Sequence, residues 1–486
     1  MGIFSKGLQP YSGPYKVATT DLEISVSPRS FGTAVLASTG EPALQLNTAL
    51  FTLFYPAAAH KKGSGKQQQW LQRPLGQTSA GYARFLNKPK WLIRIAFLLL
   101  AARTKLPAEI DVPLSDRLAD SKGDSSKKDA GQQEMRERSE ADDVGTSSMS
   151  TLVDEQGNRF PLIIFSHGLG GSRTTYSQSC GELASLGFIV AAVEHRDGSG
   201  PISVVRLGDG KERVVNYIKP EDLRFDPPNR KLTQLEHRKE QIEMRLAEIE
   251  EVLAIVSRIN DGDGATVVAS NLRNLPNGER DLPFWKGRID VKNVVMAGHS
   301  FGGATTLQAL RAGPRFPFAS GIALDPWLEA IPPYEPHQAS PSAKPSSTPT
   351  EHLDIKVPLL AINSEAFTLW ASHWKLVRDV VKGVEGASSW FLTLVGSIHL
   401  SFSDFPLIQP YLARKSGARI DPHVALASIV EASKEFLLGE GTEGKLLGQE
   451  IVPGDEEGLR PGEGYEKDGK HPMETVGDMR IHVRPE

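Results

Sequence analysis

The sequence predicts an α/β protein with a mostly parallel central sheet and helices on both faces. Three observations predict it. Short β-branched and apolar runs alternate with helical segments from about residue 160 to 438, as buried parallel strands joined by crossover helices do. One such run, residues 291–297, passes into a helical run at 304–310 through Gly298-His299-Ser300-Phe301-Gly302. Other runs end in polar clusters at His167, Asp325, Ser364-Glu365 and His399, and open α/β sheets gather their chemistry at strand ends.

The elements follow in chain order. From Trp91 to Ala102 lies an intensely apolar segment, interrupted by Arg94 and flanked by Lys88, Lys90 and Arg103. It is too short to cross a hydrocarbon core of roughly 30 Å. It suits either a helix lying in the headgroup boundary or one covering the sheet. Residues 115–151 are polar, charged and poor in large apolar side chains, so a disordered insertion is expected there. Residues 161–166 and 188–193 read as buried strands, the second followed by Glu194-His195-Arg196-Asp197. That cluster is expected to be a hydrogen-bonded rim loop, with Arg196 or His195 meeting a phosphate of the substrate as the functional alternative. Thr233 and Glu236 form a capping box opening a helix whose stripe, Ile242, Leu246, Ile249, Leu253 and Val256, faces the sheet. Asp261-Gly262-Asp263-Gly264 lacks the later ligands of a calcium loop and reads as a turn. Further strands are expected at 318–324, 357–363 and 390–395, with a Pro/Ser-rich excursion at 332–351. Beyond residue 439 the chain is rich in Gly, Glu and Lys and reads as a flexible, solvated tail. The economical organisation is one domain over residues 1–438 with insertions near 115–151 and 332–351, then a tail over 439–486.

Strand, G-x-S-x-G and helix together make a nucleophile elbow, the signature of the alpha/beta-hydrolase fold. Such proteins order their chemistry as serine, acid, histidine. Ser300 is then the nucleophile. Of the twelve histidines, His399 stands past a strand on a short glycine-led loop downstream of the serine, as the base should. Two strand-end carboxylates, Asp325 and Glu365, can each accept the imidazole Nδ1–H; the stiff strand-end aspartate suits the part better. The His167-Gly168-Leu169 loop after strand 161–166 offers one oxyanion donor, the Leu169 N–H, and Phe301 N–H supplies the other.

Several segments occur in one order: Gly13-Pro14-Tyr15, residues 51–56 (FTLFYP), 165–170 (FSHGLG), 193–197 (VEHRD), 298–305 (GHSFGGAT), 321–325 (GIALD) and 362–365 (INSE). Together they resemble the platelet-activating factor acetylhydrolases of the single-chain plasma and intracellular type, over roughly residues 13–438. The resemblance implies that Asp325, not Glu365, is the triad acid, and that His399 is followed by a Phe and an Asp as Phe402 and Asp404 stand here. It further implies calcium-independent hydrolysis of acetyl, short or oxidised sn-2 acyl groups of glycerophospholipids, a 1-alkyl-2-acetylglycerophosphocholine esterase or phospholipase A2 activity. It tilts residues 91–102 towards an interfacial role.

Composition narrows the alternatives. The net charge of −4 and the absence of basic clusters with interleaved aromatics give no pull towards nucleic acid. The single cysteine, Cys180, forbids an intramolecular disulfide. No cofactor or metal is implied. The first residues lack the apolar core of a signal peptide, and Lys6 stands where a myristoylation site wants Ser or Thr. The expected location is cytoplasmic, or peripheral on a membrane, with phospholipid as substrate. Two other functions compete: a general carboxylesterase for soluble short-chain esters, and a non-catalytic lipid-binding protein that keeps the fold.

Overall fold

The computed structural model describes residues 7–58, 65–116, 159–208, 210–225, 233–273, 281–332, 354–452, 454–457 and 476–485. Most of the expected insertions near 115–151 and 332–351 lie outside the described residues.

The strands are β1 (Lys16–Leu36), β2 (Pro42–Ala57), β3 (Gln67–Gln69), β4 (Lys105–Ile110), β5 (Phe160–Ser166), β6 (Ile189–Val193), β7 (Ile202–Arg206), β8 (Glu212–Asn216), β9 (Leu223–Phe225), β10 (Ile289–His299), β11 (Phe318–Leu324), β12 (Leu359–Ser364), β13 (Ser389–Leu394) and β14 (Met479–Val483). Among the described residues one sheet runs β14-β13-β12-β11-β10-β5-β6-β2-β1-β4-β3, with β9 paired to β1, and β7-β8 form a separate hairpin. From β13 to β6 every neighbour is parallel. β2 and β14 close this block antiparallel on either side. This is an α/β-hydrolase type of sheet.

Helices cover both faces because the parallel strands are apolar on both sides. Along β5, Phe160, Leu162 and Ile164 join one core while Ile163 and Phe165 join the other. The first core is covered by α4 (Gln234–Arg258), α6 (Phe301–Arg311) and α8 (Ala371–Lys382). The second is covered by α1 (Leu75–Phe85), α2 (Lys90–Leu100), α3 (Ser177–Ser185) and α11 (Pro422–Leu437). The remaining helices are short: α5 (Gly264–Ser270), α7 (Glu365–Thr368), α9 (Phe405–Ile408) and α10 (Pro410–Lys415). In α4 the Thr233–Glu236 capping box forms, and the whole Ile242-to-Val256 stripe is buried against the sheet. The expected turn lies in a π-type kink, Ile259–Asp263, between α4 and α5, with Gly262 at φ 105°.

The expected solvated tail needs correction. Met479, Ile481 and Val483 pack inward while β14 pairs with β13, so the end of the chain completes a sheet edge. Thr393 on β13 bonds His482 Nε2 at 2.7 Å, and the Val395 N–H donates to the Asp478 carbonyl at 2.9 Å. Alternating Met-Arg-Ile-His-Val was the available signal, obscured by the polar residues before it.

α2 turns an apolar face outward. Trp91 is 66% exposed and Leu98 51%, with Leu92, Ile95 and Leu99 also exposed; on this helix only Ile93 is fully buried. Phe97 anchors it edge-on against Tyr82, 5.1 Å between centroids. Exposed Tyr411 and Leu412 of α10 adjoin its end, where Gln409 Nε2 donates to Leu100 O at 3.3 Å. A helix serving only as sheet cover would bury that face. Among the described residues no helix is long and apolar enough to cross a membrane.

Candidate active site

Ser300 sits at the turn between β10 and α6 with φ 58° and ψ −117°, a conformation a non-glycine residue adopts only at a cost. The residues two positions to either side of it must be glycine. A Cβ on Gly302 would lie 1.9 Å from the Ser166 carbonyl oxygen, and one on Gly298 2.3 Å from the Gly302 carbonyl oxygen. The tight approach lifts the serine hydroxyl clear of the sheet.

Asp325 follows β11 and is fully buried. Ser364 donates to it twice, from its backbone N–H to Oδ1 and from its hydroxyl to Oδ2, both at 2.6 Å. His399 follows β13; its Nδ1–H donates to Asp325 Oδ2 at 2.9 Å and its Nε2 faces Ser300 Oγ at 2.9 Å. The structure thus brings Ser300, His399 and Asp325 into one relay. It does not bring Glu365 there. That carboxylate pairs with Arg419 at 2.6 Å and accepts the Gly396 N–H, so it fastens the loop that carries His399. The next turn of chain puts Phe367 flat against the His399 ring.

On the other side of Ser300, the Phe301 N–H opens α6 and has no acceptor within the helix. The Leu169 N–H lies in the loop after β5, whose Gly168 N–H donates to Tyr176 Oη at 3.2 Å. Tyr176 Oη also bonds His299 Nδ1 at 2.8 Å. Burial, and then nearby His399, hold His299 well below the ordinary imidazole pKa, so this neighbour of the base stays uncharged.

The Glu194-to-Asp197 segment corrects both expectations: it is neither rim nor phosphate site. All four side chains are buried. Arg196 pairs with Glu23 at 2.6 Å and Asp197 with Arg245 at 2.8 Å. His195 bonds Ser166 Oγ at 2.8 Å and Glu248 Oε2 at 2.6 Å. A guanidinium already paired inside the protein cannot reach a lipid phosphate.

Among the described residues, His299, Asp325 and His399 place one donor atom each within 4.8 Å of one another. Both ring nitrogens of His399 are already engaged by Ser300 and Asp325, which leaves neither free to bind a metal. Sequence reasoning missed the parts of Ser364, Phe367, Glu248 and Arg245, whose partners lie tens of residues away and leave no local pattern.

A parallel sheet with a strained serine elbow, and a histidine and aspartate converging from later strand ends, defines an α/β hydrolase. A solved ferulic acid esterase from Streptomyces cinnamoneus shares that fold, with a TM-score of 0.50 over 89% of this chain and 92% of that one, at 17% identity. A family model, Platelet-activating factor acetylhydrolase, isoform II, matches residues 143–445. The chain belongs to that family. Relatives named platelet-activating factor acetylhydrolase are 32% identical in Gallus gallus, over 60% of this chain and 65% of theirs, and 34% identical in Cavia porcellus, over 63% of each. The match therefore spans just under two thirds of these relatives' own length.

Proposed function

We propose that the chain is a serine esterase that hydrolyses the sn-2 acetyl, short or oxidised acyl ester of glycerophospholipids without calcium. The Ser300–His399–Asp325 relay at the head of the sheet is the observation that carries the chemistry; the family carries the substrate class. Ser300 Oγ attacks the sn-2 carbonyl as His399 Nε2 takes its proton, and Asp325 holds the imidazolium that forms. The oxyanion is received by the Leu169 and Phe301 N–H groups. His399 returns the proton to the departing lysophospholipid oxygen. Water, deprotonated by His399, then releases the carboxylate from Ser300.

The exposed apolar face of α2 with Lys88, Lys90, Arg94 and Arg103 around it supports a peripheral seat on the lipid aggregate. A substrate held in a bilayer makes such a face useful, whereas a soluble ester does not. A panel of sn-2 acetyl, oxidised and long-chain phospholipids against p-nitrophenyl acetate, with EDTA throughout, tests the reading. Turnover of p-nitrophenyl acetate with none of sn-2 acetyl phospholipid would favour the carboxylesterase instead.

A further inference from the structure

Arg245 projects from the middle of α4 into the interior and is completely buried. Its guanidinium engages the two walls of the proposed oxyanion hole at once. Nη1 donates to the His167 carbonyl at 2.8 Å, two residues before Leu169. Nη2 donates to Ser199 Oγ at 2.7 Å, and the Ser199 carbonyl accepts the Gly170 N–H at 2.9 Å, one residue after Leu169. The peptide bearing the Leu169 N–H is therefore bracketed from both sides by groups that Arg245 holds.

The second wall is gripped in the same way. The Arg245 guanidinium carbon lies 4.2 Å from the centroid of the Phe301 ring, within cation–π range. Nη1 also contacts Thr305 Oγ1 at 3.4 Å, and that hydroxyl donates to the Phe301 carbonyl at 2.8 Å. Nε completes the set on Asp197 Oδ2 at 2.8 Å. One planar, fork-shaped cation fixes this many acceptors at set angles; a flexible ammonium cannot.

We infer that Arg245 is the positioning residue of the oxyanion hole, holding the Leu169 loop and the start of α6 in register so that both N–H groups converge above Ser300. This rests on the proposed esterase reading. Arg245 touches no substrate; its effect passes through the backbone donors. Such donors act by being fixed before charge develops, and loss of one costs about 10²- to 10³-fold in kcat. Misplacing both should cost at least as much while leaving substrate binding intact.

The test uses the full chain with R245M and R245K, read on p-nitrophenyl acetate. R245M should lose at least about 100-fold in kcat with KM nearly unchanged. Inhibition by a trifluoromethyl ketone, whose tetrahedral oxyanion needs the hole, should weaken in parallel, while inhibition by the lysophospholipid product should not. R245K, which keeps the charge and part of the hydrogen bonding, should lose about tenfold with the same pattern. It decides the matter if R245M does not fold. Either folded variant with wild-type kcat, or ketone and product inhibition weakening together, overturns the inference. An inactive wild type, or an S300A variant with full turnover, overturns the esterase reading and this role with it. Active wild type with unimpaired Arg245 variants removes only the role.

Discussion

Phe367 lies parallel to the His399 imidazole, with centroids 4.3 Å apart and planes 6° apart. The His299 ring lies 4.5 Å from the same imidazole, tilted by 38°. The phenyl face is placed to favour a His399 imidazolium, an attraction worth about 0.5 to 2 kcal/mol. Phe367→Leu should accordingly lower kcat about 3- to 30-fold, with a smaller effect on KM. Steady-state kinetics on a soluble ester checks this, and an unchanged kcat would show the stack to be packing alone.

The carboxylates divide the work. Asp325→Asn keeps the shape but removes the charge and turns an NH2 donor towards His399 Nδ1, which favours the wrong imidazole tautomer, and should cost about 10³- to 10⁴-fold in kcat. Glu365→Gln leaves an amide oxygen for the Gly396 N–H but loses the Arg419 ion pair. It should lower kcat only a few-fold, with a lower melting temperature. Parallel kinetics of the two variants would expose a reversed order, which would transfer the acid role to Glu365.

Both assignments show what was legible. The elbow could be read because its strand, serine, glycines and helix are contiguous, and β5, β10, β11, β12 and β13 could be read as buried strands from their apolar runs; their order in the sheet could not. The acid stayed open because Asp325 and Glu365 both stand just past strand ends; only the fold aims Glu365 at Gly396. Glu194-His195-Arg196-Asp197 misled because density of charge in a sequence suggests exposure, whereas here each charge meets an interior partner. Arg196 finds Glu23 from the far N-terminal strand, a pairing that no local pattern announces. Strand β14 was hidden for the same reason: its pairing partner is some ninety residues away, as Leu392 meets Ile481.

The lipid-facing reading of α2 predicts separable effects. Replacing Trp91 and Leu98 by serine removes exposed apolar area without touching the relay, and should weaken binding to phosphatidylcholine vesicles by about tenfold or more. Turnover of p-nitrophenyl acetate should stay at the wild-type level. Vesicle sedimentation shows the first effect and soluble-ester kinetics the second. Wild-type vesicle binding by the variant would remove α2 as the contact.

Stability should fall in acid. Burial lowers the pKa of His167, His237 and His482 to about 4 and holds His195, His299 and His373 below the ordinary value as well. Above about pH 6.5 these rings are neutral both folded and unfolded, and nothing is lost. As pH falls from about 6.5 towards 4 the unfolded chain takes up protons the fold refuses, and stability declines. Buried Asp404, raised to about 7, and Glu248, also raised by burial, act in the opposite sense, being more readily protonated in the fold. With six buried histidines resisting protonation across that window, the melting temperature should drop between pH 6.5 and 4.5. His482→Gln should flatten that slope. A constant melting temperature across the range would contradict this account.

The most direct test of the central claim is hydrolysis of 1-alkyl-2-acetylglycerophosphocholine in excess EDTA by wild-type protein and by Ser300→Ala. The wild type should release acetate and lysophospholipid stoichiometrically, and a Ser300→Ala variant that remains folded should release none above background. Undiminished release by Ser300→Ala, or its loss from the wild type on adding EDTA, would contradict it.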